Sequence, residues 1–125
     1  MSRLLLDTHV FIWWVEASPR VQPHWVDAVL DPENSVHVSA VSAWEIETKK
    51  RIGKLRFGHD VGDIAAQLGF EHLSITMSHA TGAGALKWNH GDPFDRMLIA
   101  QAIENDMLLL TSDESIKSAP GVRVL

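Results

Sequence analysis

The 125-residue sequence contains no cysteine, which excludes disulfides and thiolate metal sites and fits a reducing cytoplasm. It also lacks an unbroken apolar run long enough to cross a membrane. The opening MSRLLLDTHVFIWWVE is interrupted early by Asp7 and His9, and no small-residue cleavage site follows. That stretch is expected to be a strand and a helix, not a signal peptide or a span. An excess of positive charge is missing too: the net charge of -5 argues against a protein that coats nucleic acid by bulk attraction. Carboxylates that hold metal ions, however, count as negative in that sum and are neutralised in use. Repeats, low-complexity runs and linkers are absent. With 46% hydrophobic residues, the chain suits one compact domain over residues 1–125 and is short for two.

Apolar runs and helical periods alternate along the chain. RLLLD is a short apolar run ending in an acid, as in a buried strand, and THVFIWWVE continues as a helix. Pro19 breaks the chain before a second helix through QPHWVDAVL, which stops near Asp31 and Pro32. SVHVS alternates like a strand, and AVSAWEIETKKRI has helical spacing up to Gly53. A short helix in VGDIAAQLG, a strand in FEHLSI and a helix through SHATGAGALK follow, the last with Ser78 as its expected cap. HGDPFDRMLIAQA is a long helix, and DMLLLTSD and VRVL are strands. Alternating strands and helices imply an α/β fold with a parallel sheet covered on both faces.

Such a sheet binds ligands beyond the carboxyl ends of its strands. Asp7 closes LLLD, and Asp113 follows LLLT at the matching end of a late strand. An Asp after a strand is also an ordinary turn or cap residue. At roughly 100° per residue, Val41, Trp44, Thr48 and Ile52 form one stripe with Glu45 inside it, while Glu47 points away, near Arg51. Glu45 is equally well read as the partner of Ser42 in a capping box. Asp95 falls among Leu98, Ile99 and Ala102, with Arg96 on the other side. Asp92 suits an N-cap, with Pro93 in the first helical position and Asp95 favoured by the helix dipole. A carboxylate facing a core is costly unless it is hydrogen-bonded, paired or metal-bound. Four acids directed at one sheet edge therefore point to a shared site. Their hard oxygens suit Mg2+ or Mn2+, the equipment of phosphodiester chemistry.

The stretches LLLDTHVFIWW, SAVSAWEIETKKRIGKL, DPFDRMLIAQA and LLLTSDESI, in this order and spacing, resemble the PIN-domain family, specifically its VapC-type toxins. The resemblance runs from residue 3 to about residue 116. It implies a three-layer α/β/α domain with a mostly parallel sheet. It also implies a Mg2+- or Mn2+-dependent endoribonuclease, usually homodimeric and silenced by a cognate antitoxin. On that resemblance Asp7, Glu45, Asp95 and Asp113 match the acidic metal ligands and Thr111 the hydroxyl residue before the last acid. Asp92 belongs to the DPFD form and is either an accessory ligand or a helix cap. The basic run KKRIGKLR then gives Lys49, Lys50, Arg51 and Lys54 a role on RNA phosphates, against the alternative of a solvated helix end. Arg96 is either a further phosphate contact or a salt-bridge partner. His9 and His90 lie nearest the site.

The chain departs from common relatives ahead of DPFDR, where LKWNHG replaces a Leu-Pro pair and a basic residue. Phe11, Trp13 and Trp14 crowd one short helix, and that surface is expected to serve partly as core and partly as contact with a second copy or the antitoxin. Three other readings are weaker. A haloacid-dehalogenase-like phosphatase needs a second acid two residues after the first, where His9 stands. A receiver domain needs an early acidic pair that is missing. A PIN-like module that only binds RNA or protein does not need all four acids.

Overall fold

The computed structural model describes residues 1–125. Five strands, β1 (Arg3–Leu6), β2 (Ser35–Ser39), β3 (Glu71–Leu73), β4 (Leu108–Leu110) and β5 (Arg123–Val124), form one sheet in the order β3-β2-β1-β4-β5. Every pairing is parallel, so the sheet expected to be mostly parallel is wholly so. Seven helices connect and cover the strands: α1 (Thr8–Val15), α2 (Pro23–Leu30), α3 (Ala40–Arg51), α4 (Val61–Gln67), α5 (Met77–Ala85), α6 (Pro93–Glu104) and α7 (Glu114–Lys117). None of them is long and apolar enough to cross a membrane.

The leucine triplets divide between the two faces because successive side chains of a strand point to opposite sides. Leu4 and Leu6 of β1 and Leu110 of β4 join a core with Phe11, Trp25, Ile46 and Phe57. Leu5 and Leu109 join a second core with Val41, Leu98, Ile99 and Ile116. Three consecutive leucines are what a strand buried on both faces requires, and Leu4, Leu5 and Leu6 are all wholly buried. Phe11 is likewise wholly buried. Trp13 and Trp14 are half-buried and pack against the first core, Trp13 with the Arg20 guanidinium over its ring. Phe11 is thus the part of this aromatic surface that serves as core, and Trp13 and Trp14 are covered only in part.

A buried polar tether locks the end of β2 to the second helical layer. Ser39 Oγ donates to Gln101 Oε1 at 2.6 Å, and Gln101 Nε2 donates to Ser74 O and to His79 Nδ1, both at 3.3 Å. The Ser39 hydroxyl also accepts the Val41 N–H and so caps α3. Thr76, not the expected Ser78, caps α5: its hydroxyl accepts the His79 N–H, and His79 Nδ1 accepts the Thr76 N–H in return. A histidine at the third position of the helix fills the role that sequence patterns reserve for Glu or Gln, which hid the cap.

Replacing Gln101 with Leu leaves the buried Ser39 hydroxyl proton without an acceptor, while His79 Nδ1 keeps the Thr76 N–H. We expect Gln101→Leu to lose about 1–3 kcal/mol of stability, the usual cost of orphaning buried polar groups, measured by urea unfolding. A variant as stable as the unsubstituted protein would show that the tether contributes nothing.

Candidate active site

The sheet topology decides where the acids go. In parallel pairing all five strands end at the same edge, and the chain turns there into a helix after β1, β2 and β4. Asp7 follows β1 directly and caps α1, its Oδ1 accepting the Val10 N–H at 2.7 Å. Asp113 lies three residues beyond β4 and caps α7, its Oδ1 accepting the Ser115 N–H at 2.9 Å and the Ser115 hydroxyl at 2.7 Å. Asp92 caps α6, its Oδ1 accepting the N–H groups of Phe94 and Asp95. For these three residues the capping reading holds, and each also lines one cavity with the other acids. One oxygen closes a helix end while the side chain still faces the cavity.

Glu45 is only 3% exposed, and its Oε2 is met by the Lys49 ammonium one turn later. The capping-box alternative does not hold, because Ser39 is the cap and the Ser42 hydroxyl instead pairs with Thr8 Oγ1 at 2.9 Å. The expected inward stripe is also corrected. Trp44 and Ile52 are more than half exposed, and the buried residues of α3 are Val41, Ser42, Glu45 and Ile46. Apolar periodicity misjudged the face because Trp44 packs edge-on against Phe94 at the surface, with ring centroids 4.8 Å apart. Glu45 faces inward nonetheless. Glu47 is exposed and pairs with Lys50 at 3.3 Å, where Arg51 was expected.

Asp7, Glu45, Asp92, Asp95 and Asp113 line a single cavity of about 100 Å³ together with Thr8, His9 and Lys49. Asp95 registers the crowding most strongly. Burial, then the charges of Asp92, Asp113, Glu45 and Asp7, push its carboxyl up to about 7. Burial also raises Asp7, against the pull of the Thr111 hydroxyl and the Val10 amide. For Asp113 burial acts upward as well, but the Ser115 hydroxyl and amide, the Ile116 amide and His90 outweigh it and hold the carboxyl low. The donor set is entirely oxygen and anionic, which fits a hard divalent cation. No three of these side chains, as placed, converge on one ligand position. That spacing is consistent with mutual repulsion and with oxygens engaged by N–H groups and by Lys49.

The basic residues divide. Lys49 and Lys54 line an adjoining pocket of about 250 Å³ with Thr8, His9 and Glu45. Lys50 and Arg51 lie outside both cavities at the end of α3, Lys50 held by Glu47 and Arg51 exposed. Arg96 makes neither a salt bridge nor an open cationic surface. Its guanidinium donates to the carbonyls of Ala83, Gly84, Leu86, Trp88 and His90 at 2.8–3.4 Å. Sequence reasoning passed over Thr8 and weighed Ser42 only as a cap; their buried hydroxyl pair joins the start of α1 to α3 and so fixes Asp7 relative to Glu45. The available signal was the placement of the two hydroxyls, one beside the first acid and one a turn ahead of Glu45.

The sequence matches the PIN domain family over residues 4–122. It is 32% identical over 122 residues to Ribonuclease VapC22 of Mycobacterium tuberculosis, covering 94% of this chain and 92% of that protein. Two solved assemblies share the fold. VapBC2 from Rickettsia felis, bound to a DNA fragment from its promoter, has a TM-score of 0.71 at 13% identity, covering 98% of this chain and 97% of the other. DNA-bound VapBC from Salmonella typhimurium has a TM-score of 0.71 at 18% identity, covering 100% and 98%.

The raised Asp95 carboxyl has a measurable consequence. Free aspartate titrates near 4, so the native state holds this proton more tightly than the unfolded chain does. The resulting stability is complete below about pH 4 and is lost as pH rises through about 7. In EDTA, Asp95→Asn should melt at or above the unsubstituted protein at pH 8, and its advantage should shrink toward pH 5. A variant that melts lower at both pH values would mean that the helix-dipole contribution of Asp95 outweighs the crowding.

Proposed function

Because the chain belongs to the PIN-domain family, we propose that it is a divalent-metal-dependent endoribonuclease and the toxin of a toxin–antitoxin pair, working as one domain over residues 1–125. The observation that carries this reading is the set of five carboxylates around one cavity at the carboxyl edge of a parallel sheet, with every other acid raising the pKa of Asp95. The 32% identical relative is named a ribonuclease, and the solved assemblies of the same fold are VapBC complexes.

Asp7, Glu45, Asp95 and Asp113 would supply the oxygens for Mg2+ or Mn2+, with Asp92 as an accessory. A cation held there would supply the activation of water and the neutralisation of charge that phosphodiester hydrolysis needs. The chain's own groups do the rest. The Val10 amide holds Asp7 in place, the Thr111 hydroxyl accepts the Asp113 N–H at 3.1 Å, and the Thr8–Ser42 pair keeps α1 and α3 in register. Lys49 and Lys54, beside the acids, receive backbone phosphates, and Lys50 and Arg51 extend that edge. Asp95, pushed up to about 7 by burial and the neighbouring carboxylates, retains a proton over part of the neutral range, and a cation held there would have to displace it. The protein partners are a cognate antitoxin and a second copy of the chain. The exposed Trp44 and Ile52 on α3 are apolar surface available to them.

Glu45→Gln should reduce RNA cleavage at least a hundredfold, while Glu47→Gln stays within about twofold of the unsubstituted protein, since only Glu45 lines the cavity. Equal losses in the two variants would contradict the assignment. With Mg2+ or Mn2+ the products should carry 5′-phosphate and 3′-hydroxyl ends, because water and not the 2′-hydroxyl attacks. Cyclic 2′,3′-phosphate ends, or full activity in EDTA, would overturn the mechanism.

A further inference from the structure

Between α5 and α6 the chain runs without regular structure from Leu86 to Asp92. One guanidinium holds this stretch. Arg96 donates to Leu86 O at 2.8 Å, Trp88 O at 2.9 Å and His90 O at 3.1 Å, and to Ala83 and Gly84 at the end of α5. Charge-assisted bonds to so many carbonyls fix the loop before any ligand arrives. Between this loop and α7 lies a cleft of about 430 Å³, lined by Lys87, Trp88, Asn89, His90, Ser115 and Ser118. Its volume is in the range of about 300–1,000 Å³ typical of small-ligand sites.

The cleft's chemistry is opposite to that of the acidic cavity beside it. No carboxylate lines it, and Lys87 is exposed with no ion-pair partner. Asn89 is exposed and offers an amide donor and acceptor. Trp88 and His90 stack nearly parallel, with ring centroids 4.7 Å apart and planes 14° apart, and give the cleft an aromatic wall. The wall reaches the acids: His90 Nδ1 lies 3.9 Å from Asp95 Oδ2, and Ser115 on the opposite wall donates to Asp113. A cation, a planar aromatic wall and an amide, contiguous with a site for phosphodiester cleavage, match the parts of a nucleotide: phosphate, base face and base edge.

We propose that this cleft receives an unpaired nucleotide of single-stranded RNA next to the cleaved bond. Lys87 contacts its phosphate, the Trp88–His90 wall packs against its base and Asn89 reads the base edge, so the cleft contributes to the choice of cleavage position. The proposal rests on the endoribonuclease reading and adds a specificity subsite to it. Neither Lys87 nor Asn89 makes a side-chain bond that the fold depends on, and both variants should melt with the unsubstituted protein.

The test is cleavage of a randomised single-stranded RNA pool, with fragment ends mapped and rates measured at several salt concentrations. Asn89→Ala should flatten base preference at one position beside the cleaved bond and leave the other positions unchanged. Lys87→Ala should raise KM roughly tenfold with kcat within about twofold, and reduce the salt slope of kcat/KM by about 0.7, as for one lost phosphate contact on a single strand. Variants that keep the original base preference, KM and salt slope would overturn the subsite while leaving the nuclease reading intact. Failure of the unsubstituted protein to cut any RNA would overturn the nuclease reading itself, and the subsite with it, and is seen before any variant is made.

Discussion

Strand β1 is hydrogen-bonded along both edges and covered on both faces, and the position of the acids follows from that constraint. A strand so enclosed has to be apolar throughout, and it has to end where its neighbours end. Asp7 is therefore delivered to the carboxyl edge at 5% exposure, with Leu110 O accepting its backbone N–H at 3.0 Å. β2 leads into α3 and β4 toward α7 at the same edge, so Glu45 and Asp113 approach Asp7 without any sequence proximity. α6 contributes Asp92 and Asp95 from its N-terminus. A carboxylate there also satisfies N–H groups that would otherwise lack partners.

This arrangement sets stability against chemistry. Each acid has a local stabilising contact: a helix cap for Asp7, Asp92 and Asp113, Lys49 for Glu45, the helix dipole for Asp95. Together they repel, and the Asp95 carboxyl, pushed up to about 7, shows how strongly. The fold tolerates the repulsion because the caps and the two packed cores are formed independently of it. The Thr8–Ser42 pair and the Ser39–Gln101–His79 tether hold the elements that carry Asp7 and Glu45, so the acids do not relax apart by moving α1 or α3.

Arg96 shows how a charged residue beside a site can act through the backbone. It follows Asp95 on α6 and projects away from the acids into the loop that precedes its own helix. There it sets the path of residues 86–90 and hence the position of Trp88 and His90. The same residue therefore links the acidic cavity to the neighbouring cleft, through hydrogen bonds to carbonyls and without a carboxylate partner.

The sequence by itself determined the alternation of strands and helices, the burial of the leucine triplets and the identity of the acids at the strand ends. These features depend on short-range periods and on residues within a turn of one another. It also pointed to Glu45 over Glu47, although by a stripe that Trp44 and Ile52 do not follow, because periodicity cannot distinguish an apolar residue packed at the surface from one in the core. Whether Ser42 or Ser39 caps α3, and whether Ser78 or Thr76 caps α5, turned on contacts with Thr8, Gln101 and His79. Two of these partners are 34 and 62 residues away in the chain. Only the tertiary structure assigned Lys49 to Glu45 and Arg96 to five carbonyls, because a long flexible cation reaches many groups and its partner is chosen by what packing brings within range. The convergence of five carboxylates on one cavity belongs to the same class: strand order and parallel register, neither written in any local motif, bring residues 7, 45, 92, 95 and 113 together.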